Sequence, residues 1–303
     1  MSGAGAVRAP VAGVGNVVTV QPGDLLLAAS DVDDRNIDLR NHRGPGRILH
    51  VGAAFDAKSI LWTGVEGLLV GLAIDPADGS IWGADPTARK LIHLSPDGEI
   101  LSVPALPERP WGTVVFDADG RMMLGVHTRR GPVPDDLLGA ANLVRLEGEG
   151  WRGFTLRSDG GHAGFHQVSS IALKGAVAAH LAEGGRRIFL HDLDADRPLD
   201  PLLDMESGGD GGRVFGVCAL AEGWLAAAGD SVLRLGEQGR IVARWPMPSE
   251  RGWTRVTLAK NGGEFFVNNF LEGVIERRRV GDGQVVARHD IGRKCALCGV
   301  AEV

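Results

Sequence analysis

In a chain of 303 residues with nine histidines, four histidines fall between positions 127 and 180: His127, His162, His166 and His180. Two of these share the short segment GGHAGFHQ, which begins at Gly160. Imidazole is the side chain best matched to proton transfer near neutral pH, and it is a common metal ligand. The sector therefore carries acid–base or metal chemistry if the four rings converge. Four unrelated surface histidines are the alternative. A second set of interest is Cys295-Ala296-Leu297-Cys298. Two thiols at this spacing make half a zinc site or a redox pair, but no second CxxC completes it. Packing of two small apolar side chains is the simpler reading. The acidic run Asp31–Asp34 invites a calcium reading, yet the spacing lacks the later Gly and Glu of an EF-hand loop.

What must position these residues is a repeat. GLAIDPADGSIWGAD begins at Gly71 and returns in altered form at Gly112, Ser169, Gly216 and Arg255, with a truncated start, GVAEV, at Gly299. Each unit is an apolar run, a Gly/Asp/Asn turn, a second apolar run, and then weaker third and fourth runs. This is the pattern of a four-stranded propeller blade. Turns such as Ala118-Asp119-Gly120 between apolar runs are hairpin signals. Third strands are expected at 90–94, 142–146, 187–191, 231–235 and 273–277, and fourth strands at 99–103, 151–156, 201–205, 240–245 and 284–290. GVAEV lacks a following partner, and DLLLAAS near the N-terminus lacks a preceding one. Together they predict one blade built from both termini, which closes the ring and removes an open edge. VVTV at Val17–Val20 is the competing inner strand.

Loops that join second to third strands, and loops that join blades, emerge on the same face of a propeller. Three long ones, 31–46, 127–141 and 157–167, are thus expected to meet over one channel mouth. Long loops inside a compact repeat are more often functional than idle. The residues ending the second strands are Asp31, Asp85, His127, His180, Asp230 and Asn269. A short polar side chain there closes its turn by bonding local backbone, which is the structural alternative to any ligand role. The residues just before the inner strands, Val70, Trp111, Val168, Phe215, Thr254 and Cys298, are expected to line the channel, with Trp253 beside them. A mostly apolar ring suits a small organic ligand, or simply plugs the channel. Around it lie Arg109, Arg129, Arg130, Arg213, Arg251 and Arg255, either attracting an anion or pairing with Glu66, Glu108, Asp33 and Asp34.

Composition narrows the partners. A net charge of −6 lacks the basic excess of a nucleic-acid module. No run of about 20 apolar residues predicts a membrane span. The first residues do not read as a signal peptide, and three cysteines are too few for a disulfide framework. A cytoplasmic protein acting on a small molecule, without nucleic acid or membrane, is the expectation.

GLAIDPADGSIWGADPTARKLIHLSPDGE resembles a blade of the six-bladed NHL and SMP-30/gluconolactonase/strictosidine synthase-like propellers, and GTVVFDADGRMML and FFVNNFLEGVIER are similar to it. The resemblance implies a single all-β, six-bladed propeller over residues 1–303. For activity it implies a range: lactonases, esterases, lyases, condensing enzymes and binding modules. Metal-dependent SMP-30 members hold a divalent cation with a Glu, an Asn and an Asp near inner-strand starts. Here Trp111-Gly112 stands where Asn-Gly is expected, Phe215-Gly216 where Asp-Gly is expected, and Glu66 lies upstream of its strand start.

The combined expectation is an enzyme acting on a small, largely apolar, aromatic or cyclic molecule, by hydrolysis of an ester or lactone. His127, His166 and Arg255 are its catalytic candidates. Trp111, Phe215, Trp253, Arg129, Asp31 and Asn269 are its substrate contacts. His162, His180 and Glu66 are ligands for one divalent metal ion. A lyase using the same histidine base, and a non-catalytic ligand- or protein-binding propeller, are the alternatives.

Overall fold

A computed structural model describes residues 19–30, 45–206 and 212–303. They form six antiparallel sheets arranged as a six-bladed β-propeller. Blade 1 has the order Gly299–Glu302, Leu25–Ser30, Pro45–Val51, Ala57–Glu66. Its inner strand is thus the C-terminal one, paired antiparallel with Leu25 opposite Glu302 and Ala28 opposite Gly299. Of the competing VVTV segment, Thr19 and Val20 are described and form no strand. Val20 packs instead on the blade 1–2 core.

Blade 2 comprises Gly71–Ile74, Ile81–Asp85 and Lys90–Leu94. Its expected fourth strand is reduced to a single bridge between Leu94 and Ile100, because Pro104 and Pro107 follow at once and offer no backbone donors. Blade 3 is built from Trp111–Phe116, Met122–Val126, Leu143–Glu147 and Gly150–Phe154. Blade 4 contains Ser170–Lys174, Val177–Leu181 and Arg187–Asp192, with an outer strand broken into Arg197–Pro198 and Leu203–Asp204. Blade 5 holds Gly216–Ala219, Trp224–Ala227, Ser231–Leu235 and Ile241–Pro246; blade 6 holds Trp253–Leu258, Glu264–Asn269, Val274–Arg279 and Val285–Asp290.

The inner hairpins turn where short polar side chains take over backbone donors. The Asp75 carboxylate accepts from Ala77 N at 2.8 Å, Asp117 from Asp119 N at 3.0 Å, and the Asn261 side-chain oxygen from Gly263 N at 3.0 Å. The core is not central. It lies in the seams between blades, one apolar cluster per seam. Trp82, Trp111 and Leu124 fill the seam of blades 2 and 3. Leu225, Trp253 and Phe265 fill that of blades 5 and 6. Leu27, Phe266 and Val300 fill that of blades 6 and 1. Second strands are therefore buried on both faces, inner strands are half-buried toward the channel, and outer strands such as Val285–Asp290 alternate between exposed and half-buried. The axis is left as a cavity of about 810 Å³ walled by the six inner strands. Among the described residues no helix is long and apolar enough to cross a membrane.

Candidate active site

Two of the three long loops meet as expected. Thr128 bridges His166, Arg129 N donates to the Phe165 carbonyl at 2.9 Å, and Gln167 N donates to the His127 carbonyl at 2.9 Å. The third loop, residues 31–44, and with it Asp31 and the Asp31–Asp34 run, lies outside the described residues. The blade 3–4 connection is locked onto the turn that follows the second strand of blade 4. One Asp159 oxygen accepts from Gly161 N at 3.1 Å, and the other from Arg186 N at 2.8 Å. His162 N donates to the Glu183 carbonyl at 3.0 Å. Gly161 has φ 62°, and a Cβ there would stand 2.2 Å from the Glu183 carbonyl oxygen, so only glycine permits this docking.

The lock brings His127, His166 and Glu183 together. One donor atom from each lies within 4.8 Å of the other two. The His127 and His166 rings meet edge to face at 5.1 Å, and the His162 ring lies 4.9 Å from His166. His127 Nε2 is 3.5 Å from Glu183 Oε2, too long for a good hydrogen bond. The opposite edge of the His127 ring packs on Gly112, where an added Cβ would be 2.5 Å from His127 Cβ and 3.0 Å from Nδ1. Nδ1 of both His127 and His166 is buried without a hydrogen-bond partner. His162 Nδ1 lies 3.0 Å from the Glu183 carbonyl, to which it must donate; the neutral ring then presents Nε2 as an acceptor. His162 is exposed.

Burial holds the His127 imidazole down to about 3, with His166, Arg255 and His162 adding nearby positive charge. His166 is held down to about 4 by burial, His162 and Arg130. Both rings are therefore neutral at neutral pH, the form that donates a lone pair. Burial pushes the Glu183 carboxyl up, opposed by His162 and Arg255. Glu183 is the member that sequence reading missed: it lies two residues beyond the strand end at Leu181, past the position at which polar groups were counted.

The other predicted residues are placed as follows. His180 leaves the group. It is buried, stacks on Phe189 at 5.7 Å, and is held down to about 3 by burial and His191. Glu66 is exposed at the end of its strand opposite Pro45. Neither belongs to the ligand cluster. Trp111 and Trp253 are fully buried in seam cores, their indole N–H groups donating to the Pro107 carbonyl and to Ser249 Oγ. They do not line the channel. A register shift follows each of them, between Trp111 and Thr113 and between Trp253 and Arg255, and this turns the indoles into the seam. Phe215 is half-buried against Gly229. Asn269 is a structural cap: it donates to Ser249 Oγ and the Arg251 carbonyl and accepts from Glu272 N. Asp85 caps its turn in the same way, through Thr87 N and Ala88 N.

Of the basic set, Arg129 donates to the Ala140 carbonyl at 3.2 Å, and Arg130 covers the Phe165 ring that stacks on His166. Arg109 is bound by Asp136, not Glu108. Arg255 stands apart. Its guanidinium is within electrostatic range of Glu183, His127 and Cys298, and its strand belongs to blade 6, which stands opposite blade 3 in the ring. It also lines the axial cavity, as do Val70 and Cys298. That cavity extends to the inner-hairpin rim at Asp75, Pro76 and Lys260, the end opposite the long loops. Cys298 packs with Leu68 and Val70, and burial pushes its thiol up, as befits packing rather than nucleophilic attack.

No family model and no curated protein matches the chain. Solved structures do. A nidogen/laminin complex structure is similar over 92% of this chain and 97% of that chain, at 12% identity and TM-score 0.63. A protein of unknown function from Bacteroides caccae is similar over 92% and 98%, at 16% identity and TM-score 0.62. Virginiamycin B lyase from Staphylococcus aureus is similar over 91% and 90%, at 14% identity and TM-score 0.54. At these identities the likeness is one of fold.

Proposed function

We propose that this chain is an enzyme that hydrolyses an ester or lactone of a small, largely apolar molecule at a divalent cation held by His127, His166 and Glu183. The single observation that carries this reading is the convergence of two neutral imidazoles and one carboxylate within 4.8 Å. The donor set fits. Ligands about 2.1 Å from a tetrahedral ion are about 3.4 Å apart, and His127 Nε2 and Glu183 Oε2 are 3.5 Å apart without a direct bond. Two imidazoles and one carboxylate suit zinc, manganese or iron better than calcium. A cation so held would polarise a carbonyl and lower the pKa of a bound water.

The remaining roles fall to residues around it. His162, with Nε2 free and the ring exposed, takes the proton of the attacking water and returns it to the leaving oxygen. Arg255, within electrostatic range of Glu183, offers a positive charge to the carbonyl oxygen as negative charge develops on it. Water oxygen adds to the acyl carbon, the ester C–O bond breaks, and the leaving alkoxide is protonated. The resemblance of the repeat to SMP-30-like propellers supports hydrolysis, although the residues proposed here are not the Glu, Asn and Asp of that family.

Metal analysis of the purified chain, followed by reconstitution with zinc, manganese and iron, tests the centre. One equivalent is expected. His166→Ala and Glu183→Gln should each reduce it below about a tenth and lower the turnover of aryl esters and lactones by about 10²-fold or more. Hydrolysis in ¹⁸O-water should place one solvent oxygen in the acid product. Elimination without label would identify a lyase. A wild-type chain that binds no metal and turns over no ester would leave a binding propeller.

A further inference from the structure

The axial cavity has one polar feature that the ester chemistry does not fully use. Arg255 is the third residue of the inner strand of blade 6, at the repeat position where other blades carry Gly or Ser. Its side chain makes no hydrogen bond or ion pair among the described residues. Three other polar side chains in the cavity wall are engaged: Thr113 Oγ1 donates to the Val168 carbonyl, Ser170 Oγ accepts from Val217 N, and Asp117 is paired with Arg121. At the far rim, Lys260 N donates to Glu302. Burial draws the Arg255 pKa down, opposed by the anionic forms of Cys298 and Glu183, yet a guanidinium remains charged. Arg255 is half-buried, and a partly desolvated cation with five donors and no acceptor gains from an anion that completes it.

The walls that lead away from Arg255 are apolar. Leu72, Ile74, Val115, Leu173 and Leu258 line the cavity and are only half-buried, so their side chains offer surface. From Arg255 to its end at Leu258 the inner strand advances about 10 Å at the usual rise per residue, with Lys260 just beyond in the turn. A volume of about 810 Å³ is that of a small-molecule site rather than a packing defect.

We propose that the channel binds an amphiphilic carboxylate, its carboxyl group held by Arg255 and its apolar chain lying along the inner strands toward the inner-hairpin rim. The inference deepens the proposed hydrolysis, on which its catalytic meaning rests: the acyl half of the ester occupies the channel, and the acid product leaves Arg255 last. Binding itself needs no metal and no turnover.

Titration calorimetry on the full chain with octanoate, octanamide and acetate tests it. Octanoate should bind roughly 10- to 100-fold more tightly than octanamide, the span of a charge-assisted hydrogen-bond pair. Acetate should bind at least 10-fold more weakly than octanoate, for want of the chain. Arg255→Gln should abolish the preference for octanoate over octanamide. Equal affinity for octanoate and octanamide in the wild-type chain would overturn the proposal, whatever Arg255→Gln does to folding. So would acetate binding as tightly as octanoate, or no octanoate binding at about 10 mM, where only the weakest interactions remain undetected. Octanoate binding without any ester turnover would refute the hydrolase and retain the carboxylate site. Ester turnover without carboxylate preference would do the reverse.

Discussion

Blades 3 and 6 place a polar residue at nearly the same point, just at the end of the second strand, and use it in opposite ways. In blade 6, Asn269 is fully buried and every polar atom is engaged, with Ser249, with the Arg251 carbonyl and with Glu272 N. In blade 3, His127 has a buried Nδ1 without a partner and an Nε2 that stops 3.5 Å short of Glu183. Buried polar groups are almost always satisfied, so an orphan asks for an explanation. The blade 6 residue holds its own turn. The blade 3 residue is held by others: the 157–167 connection and the Glu183 turn pack around it. Equivalent positions in a repeat thus share a location, while the long connection decides which of them becomes chemistry.

Both regions presuppose a closed ring, so the comparison is broken most completely by opening it. Deleting 298–303 removes the strand paired with Leu25–Ala28 and takes Val300 from the seam of blades 6 and 1. The Leu25–Ser30 strand is left with an open edge. Loss of the cooperative thermal transition is expected by calorimetry. A wild-type midpoint would show that closure contributes nothing.

The next test separates the two uses directly. Asn269→Ala removes three hydrogen bonds made by a fully buried side chain to half-buried or exposed partners and should cost about 1–3 kcal/mol in urea unfolding. His127→Ala removes packing but also relieves an unsatisfied nitrogen, so it should cost less than about 1 kcal/mol. Activity should invert the order. His127→Ala should lower turnover by about 10²-fold or more, and Asn269→Ala, assayed while folded, by less than about 3-fold. If both variants lose stability alike and neither loses activity selectively, His127 is a cap like any other.

Much of this architecture was legible in the chain. The inner hairpins announce themselves through Asp-Gly and Asn-Gly turns between apolar runs, and the unpaired GVAEV segment pointed to a ring closed by both ends. His127, His162 and His166 were legible as a group because a blade-to-blade loop and a second-strand end share a face. Three things were not. Trp111 and Trp253 read as channel residues by position, but the register shift after each one reverses the side on which the indole falls. Such a shift leaves no mark in an apolar run. Glu183 sits in a turn, LAEGG, whose importance lies in the docking of Gly161 and Asp159 against it, a contact between segments that no local pattern records. His180 has the same strand-end address as His127, yet it faces Phe189.

The smallest expected effect is at His162, and it decides between two roles. Position in sequence made His162 a candidate ligand. The structure places its nitrogens outside the triad of His127, His166 and Glu183, and pairs Nδ1 with the Glu183 carbonyl. A ring that is exposed and anchored at one nitrogen carries protons between a site and water. His162→Ala should therefore keep one equivalent of metal, alter stability by less than about 0.5 kcal/mol, and slow turnover by roughly 10-fold, since a water can replace an exposed base in part. Added imidazole should restore some of that rate, which a merely structural loss would not allow. His162→Gln, which keeps a donor to the Glu183 carbonyl but cannot accept the proton, should be as slow as His162→Ala. Loss of the metal in His162→Ala would make the ring a ligand after all. An unchanged rate would remove it from the chemistry, leaving the contrast between blades 3 and 6 to rest on His127, His166 and Glu183 alone.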